Sequence, residues 1–336
     1  MFKNLTRHPS QGPATTPRFA HRIANALANA PCFLGIDGGG TKTHAVITTS
    51  AYKIIGEGFS GAANPVRVGF DSAVVHVSEA VKQACAQAGM TLHDITAGCA
   101  AIAGISHPIH YHTMKKALDA RLRMDHLELV TDARAALEGA LDGQQGVVLI
   151  AGTGSIAMGM NEARDVERSG GWGPTLGDEG SGYDIARQAL KAVAASFDGR
   201  APRTALTERI CQQLGIASAK DLPSVIYNND AESTQIASLA RLVADAAAEG
   251  DAVARGILAQ AGRDLGELAA SVIHKLGLES KTFRVAYVGS VFNAGDCVLE
   301  PLRAAVLKVA PRAEVGPPLQ SPEIGAVKLA RAAMES

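Results

Sequence analysis

Seven consecutive residues, Asp37-Gly38-Gly39-Gly40-Thr41-Lys42-Thr43, bring together a carboxylate, three glycines, a lysine and two hydroxyls. This set suits the phosphates of a nucleotide. Glycine lets backbone N–H groups close on an anion, the hydroxyls of Thr41 and Thr43 can donate to phosphate oxygens, and Asp37 can hold a hydrated magnesium ion. Taken alone, the run also fits a plain glycine-rich hairpin turn. A second run, Gly152-Thr153-Gly154-Ser155, repeats the pairing of glycine with hydroxyl about a hundred residues later.

The elements around these runs exclude two phosphate loops that open helices. A P-loop needs four residues between its glycine and the Gly-Lys pair, and the stretch from Gly35 to Gly40 with Thr41-Lys42-Thr43 carries one residue too many. The next segments, His44 to Ser50 and then Tyr52 to Gly58, are β-branched and strand-like, so the glycines form the turn of a hairpin. Gly152 to Ala157 matches the Gly-x-Gly-x-x-Ala dinucleotide fingerprint after the apolar strand Val147–Ile150. No helix comes after it: Gly159, Asn161-Glu162 and a strand candidate from Arg164 to Arg168 make a second hairpin. Two strand–glycine–hydroxyl–strand units predict two lobes around one nucleotide.

Periodicity fills in the rest. A helix over 70–88 puts Val74, Val77, Val81, Ala84 and Ala88 on one face and stops at Gly89. A buried strand over 97–104, a helix over 112–123, a strand over 127–130 and a helix over 132–141 come next, so three antiparallel strands and a βαβα unit make the first lobe. Beyond the second hairpin, the loop Gly170–Gly182 is dense in glycine. It leads into helices over 183–197, 204–214, 232–249 and 251–276, the last two alanine-rich and read as core. A strand over 284–288 ends at a third glycine turn, Gly289–Gly295, where an adenosine could rest, and a helix begins near Ser321.

Composition sets limits. A chain of 336 residues accommodates two domains, and a net charge of −1 gives no sign of a nucleic-acid or anionic-membrane partner. No apolar run approaches the roughly 18 residues that span a bilayer. The five cysteines are scattered without a Cys-x-x-Cys pair, which points to a reducing cytoplasm and small buried thiols. His107, His110 and His112 have no carboxylate or cysteine nearby to complete a zinc set and read as a solvated loop. Residues 1–32 are basic, dotted with Pro9, Pro13 and Pro17 and free of acids. They fit a transit peptide, a disordered leader or an upstream start codon, with a short helix candidate over 23–30.

Asp132 comes after a strand and opens a helix, which suits both a general base and an N-cap. Asp178 and Glu179 precede the helix from Tyr183, where the helix dipole favours negative charge. Asn64 before Pro65 fits a turn, and Trp172 between glycines fits a loop anchor.

Asp37-Gly-Gly-Gly-Thr41, Thr131-Asp132, Gly152-Thr-Gly-Ser155, Gly170-Gly-Trp-Gly173, Gly177-Asp-Glu-Gly-Ser181 and Val288-Gly-Ser290 resemble the ordered motifs of the BadF/BadG/BcrA/BcrD ATPase family, and within it the N-acetylglucosamine kinases. The family lies in the sugar kinase, Hsp70 and actin superfamily, and the resemblance runs from about residue 33 to the C-terminus. It implies an α/β fold of two ribonuclease H-like lobes, 33–142 and 143–336, with a nucleotide and sugar cleft between them. The last helix would return to the first lobe. It further implies phosphorylation of an amino sugar by ATP and Mg2+, N-acetylglucosamine to its 6-phosphate first, with glucosamine or N-acetylmuramic acid as alternative acceptors. Carried over by residue, Gly38, Gly39, Gly40, Thr41, Lys42, Thr43, Gly152, Thr153 and Gly154 would face phosphates, and Gly289 and Ser290 the adenosine. Asp37 would face the metal, Asn64, Asp132, Ser155, Gly171 and Asp178 the sugar, with Asp132 the catalytic carboxylate. Trp172 could then stack on the sugar. The family expectation is a homodimer. An activator of 2-hydroxyacyl-CoA dehydratases would need cluster-ligating cysteines that the relevant loops lack, and a ROK-type repressor would need a helix-turn-helix that thirty proline-dotted residues cannot supply.

Overall fold

The computed structural model describes residues 30–228 and 233–335. The leader and its helix candidate fall outside these residues, save for the last few positions. The first sheet contains β1 (Cys32–Gly38), β2 (Thr43–Thr49), β3 (Ile54–Ser60), β4 (Ala97–Ile102) and β5 (Leu127–Thr131), in the order β3-β2-β1-β4-β5. β1 pairs antiparallel with β2, and β2 with β3, while β4 and β5 run parallel to β1. The second sheet contains β6 (Gly146–Ala151), β7 (Ser155–Met160), β8 (Val166–Gly170), β9 (Phe283–Val288) and β10 (Ala313–Gly316). Its order, β8-β7-β6-β9-β10, repeats that of the first, with β8 on the antiparallel side and β9 and β10 on the parallel side. The same ribonuclease H-like topology therefore occurs twice. β4 is buried at all six positions, which is why it reads as one apolar run without alternation.

Two elements differ from the sequence expectation for identifiable reasons. The helix expected from 112 begins at Pro108, because proline suits the first helical position and His107 Nδ1 accepts the Ile109 N–H (3.3 Å). The helix expected over 232–249 is two, Ser233–Ser238 and Ala240–Ala248. At the break, Leu239 donates to Ile236 and accepts from Leu242, three residues apart in both directions, and its side chain is buried.

The helices that position the site, in chain order, are α1 (Pro65–Val68), α2 (Phe70–Ala88), α3 (Pro108–Leu122), α4 (Asp132–Leu141), α5 (Gly182–Phe197), α6 (Leu206–Leu214), α7 (Leu222–Asn228), α8 (Ser233–Ser238), α9 (Ala240–Ala248), α10 (Ala252–Leu276), α11 (Asp296–Val309) and α12 (Pro322–Glu335). α12 lays Ile324, Ala326, Val327 and Ala330 on Phe33, Val46, Cys99 and Ala101 of the first sheet. α4 turns Ala133, Leu137, Ala140 and Leu141 toward Val148, Met158, Met160 and Ala286 of the second. The two helices meet backbone to backbone: a Cβ on Gly325 would lie 2.0 Å from the Ala135 carbonyl oxygen. Asp132 and Glu323, at their N-terminal ends, thereby come beside the tip of β1.

Candidate active site

The first glycine run forms the turn between β1 and β2, closed by Gly39 N–H donating to the Lys42 carbonyl (2.9 Å). Among the described residues the N–H groups of Gly40 and Thr41, at the tip, donate to no backbone carbonyl, so they are available to an anion. Thr41 and Lys42 are exposed. Gly38 is a packing glycine, since a Cβ there would lie 2.5 Å from Ile102 Cδ1. Thr43 corrects the expectation for its hydroxyl: it is fully buried and donates to the Gly61 carbonyl (2.7 Å), which takes its proton away from any phosphate.

Asp37 and Asp132 stand close enough to repel. Burial, then Asp132, then Glu323 raise the Asp37 carboxyl to about 7, against the opposing pull of Lys42 and His44. Burial also pushes the Asp132 carboxyl above the ordinary carboxylate range, and the N–H groups of Ala133 and Asp132 hold it partly back. The cap of α4 is not Asp132 but Thr131, whose hydroxyl accepts the Arg134 N–H (3.3 Å). That leaves the Asp132 side chain for other work and corrects the N-cap expectation for Asp132. His44 links the turn to α12 through Glu323 (3.3 Å). Crowded carboxylates that are driven to hold protons fit a divalent cation, which relieves the repulsion. Among the described residues no three ligating side chains cluster around one point.

The second run forms the turn between β6 and β7, with Gly152 N–H donating to the Gly154 carbonyl (2.9 Å). The first residues of α5 pin it: Gly182 N–H donates to the Gly152 carbonyl (2.8 Å) and Tyr183 N–H to that of Thr153 (3.2 Å). Thr153 is exposed, as Thr41 is at the other tip. Beside this turn opens a cavity of about 470 Å3 whose walls include Thr153, Thr234, Ala237, Arg241, Ser290 and Asn293. Gly289 does not line it. At φ +121, with Ala151 O 2.2 Å from where a Cβ would be, Gly289 lets β9 end against β6 and turn Ser290–Ala294 into the wall. Thr234, Ala237 and Arg241 were not among the sequence candidates. They lie in a stretch whose alanine content gives a core signal and whose polar residues have no motif spacing.

The remaining candidates fall into two groups. Asp178, Ser155 and Gly171 form one hydrogen-bonded unit around the start of β7. Asp178 Oδ1 accepts the Ser155 N–H (3.3 Å), Ser155 Oγ donates to the Glu179 carbonyl (2.7 Å), and Gly171 N–H donates to the Ser155 carbonyl (2.9 Å). Asp178 is buried in the left-handed region at φ 61, with its carboxyl raised by burial and lowered by the Ser155 N–H. It does not cap α5; Ser181 does, accepting from Asp184 N–H. Asn64 is in the first lobe, where its Oδ1 accepts the Val66 N–H (3.0 Å) and caps α1. A Cβ on Gly104 would lie 2.3 Å from that Oδ1, so the loop after β4 packs on Asn64. Trp172 is 64% exposed, with the Arg168 guanidinium 5.2 Å from its ring centre. His107 and His110 are ring neighbours (5.4 Å) engaged with backbone groups, and belong to no group of potential metal ligands among the described residues.

Two lobes of one topology, each ending a hairpin in glycine and an exposed threonine, with carboxylates at one tip and a cavity at the other, define an actin-like nucleotide-binding fold. The chain belongs to the BadF/BadG/BcrA/BcrD ATPase family, whose model matches residues 34–330. It is 33% identical over 298 residues to the N-acetylmuramic acid/N-acetylglucosamine kinase of Clostridium acetobutylicum, covering 89% of this chain and 97% of that one. It is 33% identical over 309 residues to the N-acetyl-D-glucosamine kinase of Dictyostelium discoideum, with the same coverage of 89% and 97%. A solved structure from Chromobacterium violaceum, provisionally assigned as an N-acetylglucosamine kinase, superposes with a TM-score of 0.74 at 26% identity, over 89% of this chain and 99% of that one.

Proposed function

We propose that the protein transfers the γ-phosphoryl group of ATP to the primary hydroxyl of an amino sugar, with N-acetylglucosamine and its 6-phosphate as first substrate and product. The observation that supports this reading is the proximity of Asp132 to Asp37 at the first threonine-tipped turn, with a cavity of about 470 Å3 beside the second. A sugar hydroxyl is a weak nucleophile. Asp132 accepts its proton as the hydroxyl oxygen bonds to the γ-phosphorus and the bond from that phosphorus to the ADP oxygen breaks. The N–H groups of Gly40, Thr41, Thr153 and Gly154 and the two threonine hydroxyls take up the charge on the phosphates. Asp37 would hold Mg2+, which neutralises phosphate charge when bound. Asn64, Ser155, Gly171 and Asp178 form the sugar wall. Ser155 and Asp178 act there chiefly by fixing the loop, since their polar groups already have backbone partners.

The lobes divide near residue 142, and the working assembly is a homodimer in a reducing compartment, in keeping with four of the five cysteines being buried. Among the described residues no helix is long and apolar enough to cross a membrane. The test is ADP release with Mg-ATP across N-acetylglucosamine, glucosamine, N-acetylmuramic acid, N-acetylmannosamine and glucose. Strong stimulation by one amino sugar, lost in Asp132→Asn, supports the assignment and names the acceptor. Hydrolysis that ignores every sugar refutes it.

A further inference from the structure

β8 is the edge strand of the second sheet, and Arg168 lies near its end, just before Gly170 and Gly171. In the β7–β8 pairing Arg168 is opposite Met158 and Gly170 is opposite Ile156, so Arg168 shares a sheet face with Met158 and Ile156. α4 covers that face, since Met158 packs with Ala133 and Leu137, and α4 opens with Asp132. The arginine therefore stands at the rim of the face that Asp132 and its helix overlie. It also borders the sugar wall: a Cβ on Gly171 would lie 2.9 Å from Ile156 Cδ1 and 3.5 Å from an Arg168 guanidinium nitrogen. The guanidinium is exposed and has donors to spare. One nitrogen donates to the Gly170 carbonyl (3.2 Å), and the group lies over the Trp172 ring. Its sequence neighbour Glu167 pairs with Lys275 (3.8 Å), and among the described residues no carboxylate forms an ion pair with Arg168. Lys275 also donates to the Arg168 carbonyl (2.7 Å), which holds the backbone from which the side chain reaches.

We infer that Arg168 is a specificity-determining residue that takes a carboxylate carried by the acceptor, so that the substrates include amino sugars with an acidic ether at C3, N-acetylmuramic acid among them. This rests on the sugar kinase reading and deepens it. N-acetylglucosamine is neutral and offers a guanidinium fork no charge to pair with. An acidic ether at C3 leaves the part of the ring remote from the primary hydroxyl that Asp132 takes, and so points outward to the rim. There the planar fork of arginine matches a carboxylate with two parallel hydrogen bonds, which an ammonium cannot do. The pair is open to solvent, so its contribution falls as salt rises.

The experiment is steady-state kinetics on the full chain with Mg-ATP and three acceptors: N-acetylglucosamine, N-acetylmuramic acid, and the methyl ester of that acid, which keeps its shape and removes its charge. The wild type is expected to phosphorylate all three, with kcat/KM for the acid about 10-fold above that for the ester and the ratio shrinking as ionic strength rises. Arg168→Ala should bring acid and ester within about 2-fold of each other, chiefly by raising KM for the acid, while kcat/KM for N-acetylglucosamine stays within about 3-fold of wild type. Arg168→Lys should keep part of the preference, because it keeps the charge without the fork. A role confined to bracing Trp172 and its loop would lower all three acceptors together and leave the acid-to-ester ratio as it was. That unchanged ratio in Arg168→Ala overturns the inference, and so does a wild type that phosphorylates N-acetylglucosamine but favours the ester, treats acid and ester alike or refuses both; in each of these cases the kinase reading stands. A wild type that phosphorylates no amino sugar brings down both.

Discussion

The two hairpins occupy equivalent places in the two sheets, yet their surroundings differ in charge. One cross-strand step back from the last pair, the first lobe has Asp37 opposite His44, and the second has Ile150 opposite Ile156. Around the first tip stand Asp37, Asp132, Glu323, His44 and Lys42. Around the second, the buried carboxylate of Asp178 is tied to backbone N–H groups, and a cavity opens beside the turn. On the function proposed above, the first copy of the duplicated fold would handle protons and metal, and the second shape. If so, damage to the first lobe's carboxylates should abolish turnover with binding intact, and damage to the second lobe's cavity should weaken binding.

The largest effect is expected at Asp132. Asp132→Asn keeps size and removes the base, so kcat should fall about 10^2- to 10^4-fold while the affinity for Mg-AMPPNP stays within about 3-fold by calorimetry. Near-normal kcat would dissolve the division of labour between the lobes. In the wild type the raised Asp132 carboxyl must lose its proton to act, so activity should fall on acidification at a pH above the ordinary carboxylate range.

Asp37→Asn is next, with kcat lowered about 10^2-fold and the magnesium requirement shifted to higher concentration. It also carries a stability signature of known sign. With its carboxyl at about 7, Asp37 binds more protons folded than unfolded between the ordinary carboxylate pKa and 7. The stability this group contributes is complete below that window and lost as pH rises through 7. In EDTA, Asp37→Asn should therefore melt above the wild type at pH 8, with the gap closing toward pH 4. A gap independent of pH would remove Asp37 from the crowded carboxylate site.

How far this division could be read from sequence varies with how local each feature is. Both hairpins were legible, because glycine–hydroxyl runs between β-branched segments encode a turn without help from elsewhere. The choice between Thr131 and Asp132 as cap was not, since adjacent residues both suit the position and backbone geometry alone selects one. Arg67 and Thr234 meet only after the chain has closed over 167 positions, a contact no window reveals. α11 and β10 were missed for a nearer reason: Pro301 sits inside α11 and masks its helical pattern. Thr43 looked equal to Thr41, and only pairing and burial separate a hydroxyl that faces solvent from one that faces Gly61.

That last difference supplies a matched set. Thr41→Ala and Thr153→Ala each remove one charge-assisted hydrogen bond and should weaken Mg-ATP binding about 10-fold, with similar melting temperatures. Thr43→Ala should do the reverse. It strands the Gly61 carbonyl and should cost about 1 to 3 kcal/mol in urea unfolding, with ATP affinity close to wild type. Equal effects of Thr41→Ala and Thr153→Ala would show that both lobes grip the phosphates, and loss confined to one would assign the grip to that lobe.

The smallest effect is expected at Trp172, where the lobes' roles touch the sugar. The ring is 64% exposed, braced by the Arg168 guanidinium 5.2 Å from its centre, and its backbone lies between Gly171 and Gly173, both at positive φ. A side chain so open forfeits most of the burial that makes an aromatic an anchor, and an exposed cation–π contact is worth about 0.5 to 1 kcal/mol. Trp172→Ala should therefore change the KM for N-acetylglucosamine by less than about 3-fold and leave kcat nearly unchanged, because neither the Gly171–Ser155 hydrogen bond nor Asp178 depends on the indole. A rise of about 30-fold or more, of the order of 2 kcal/mol, would mean that the loop folds over when sugar binds and buries the ring against it. The second lobe would then supply motion as well as shape.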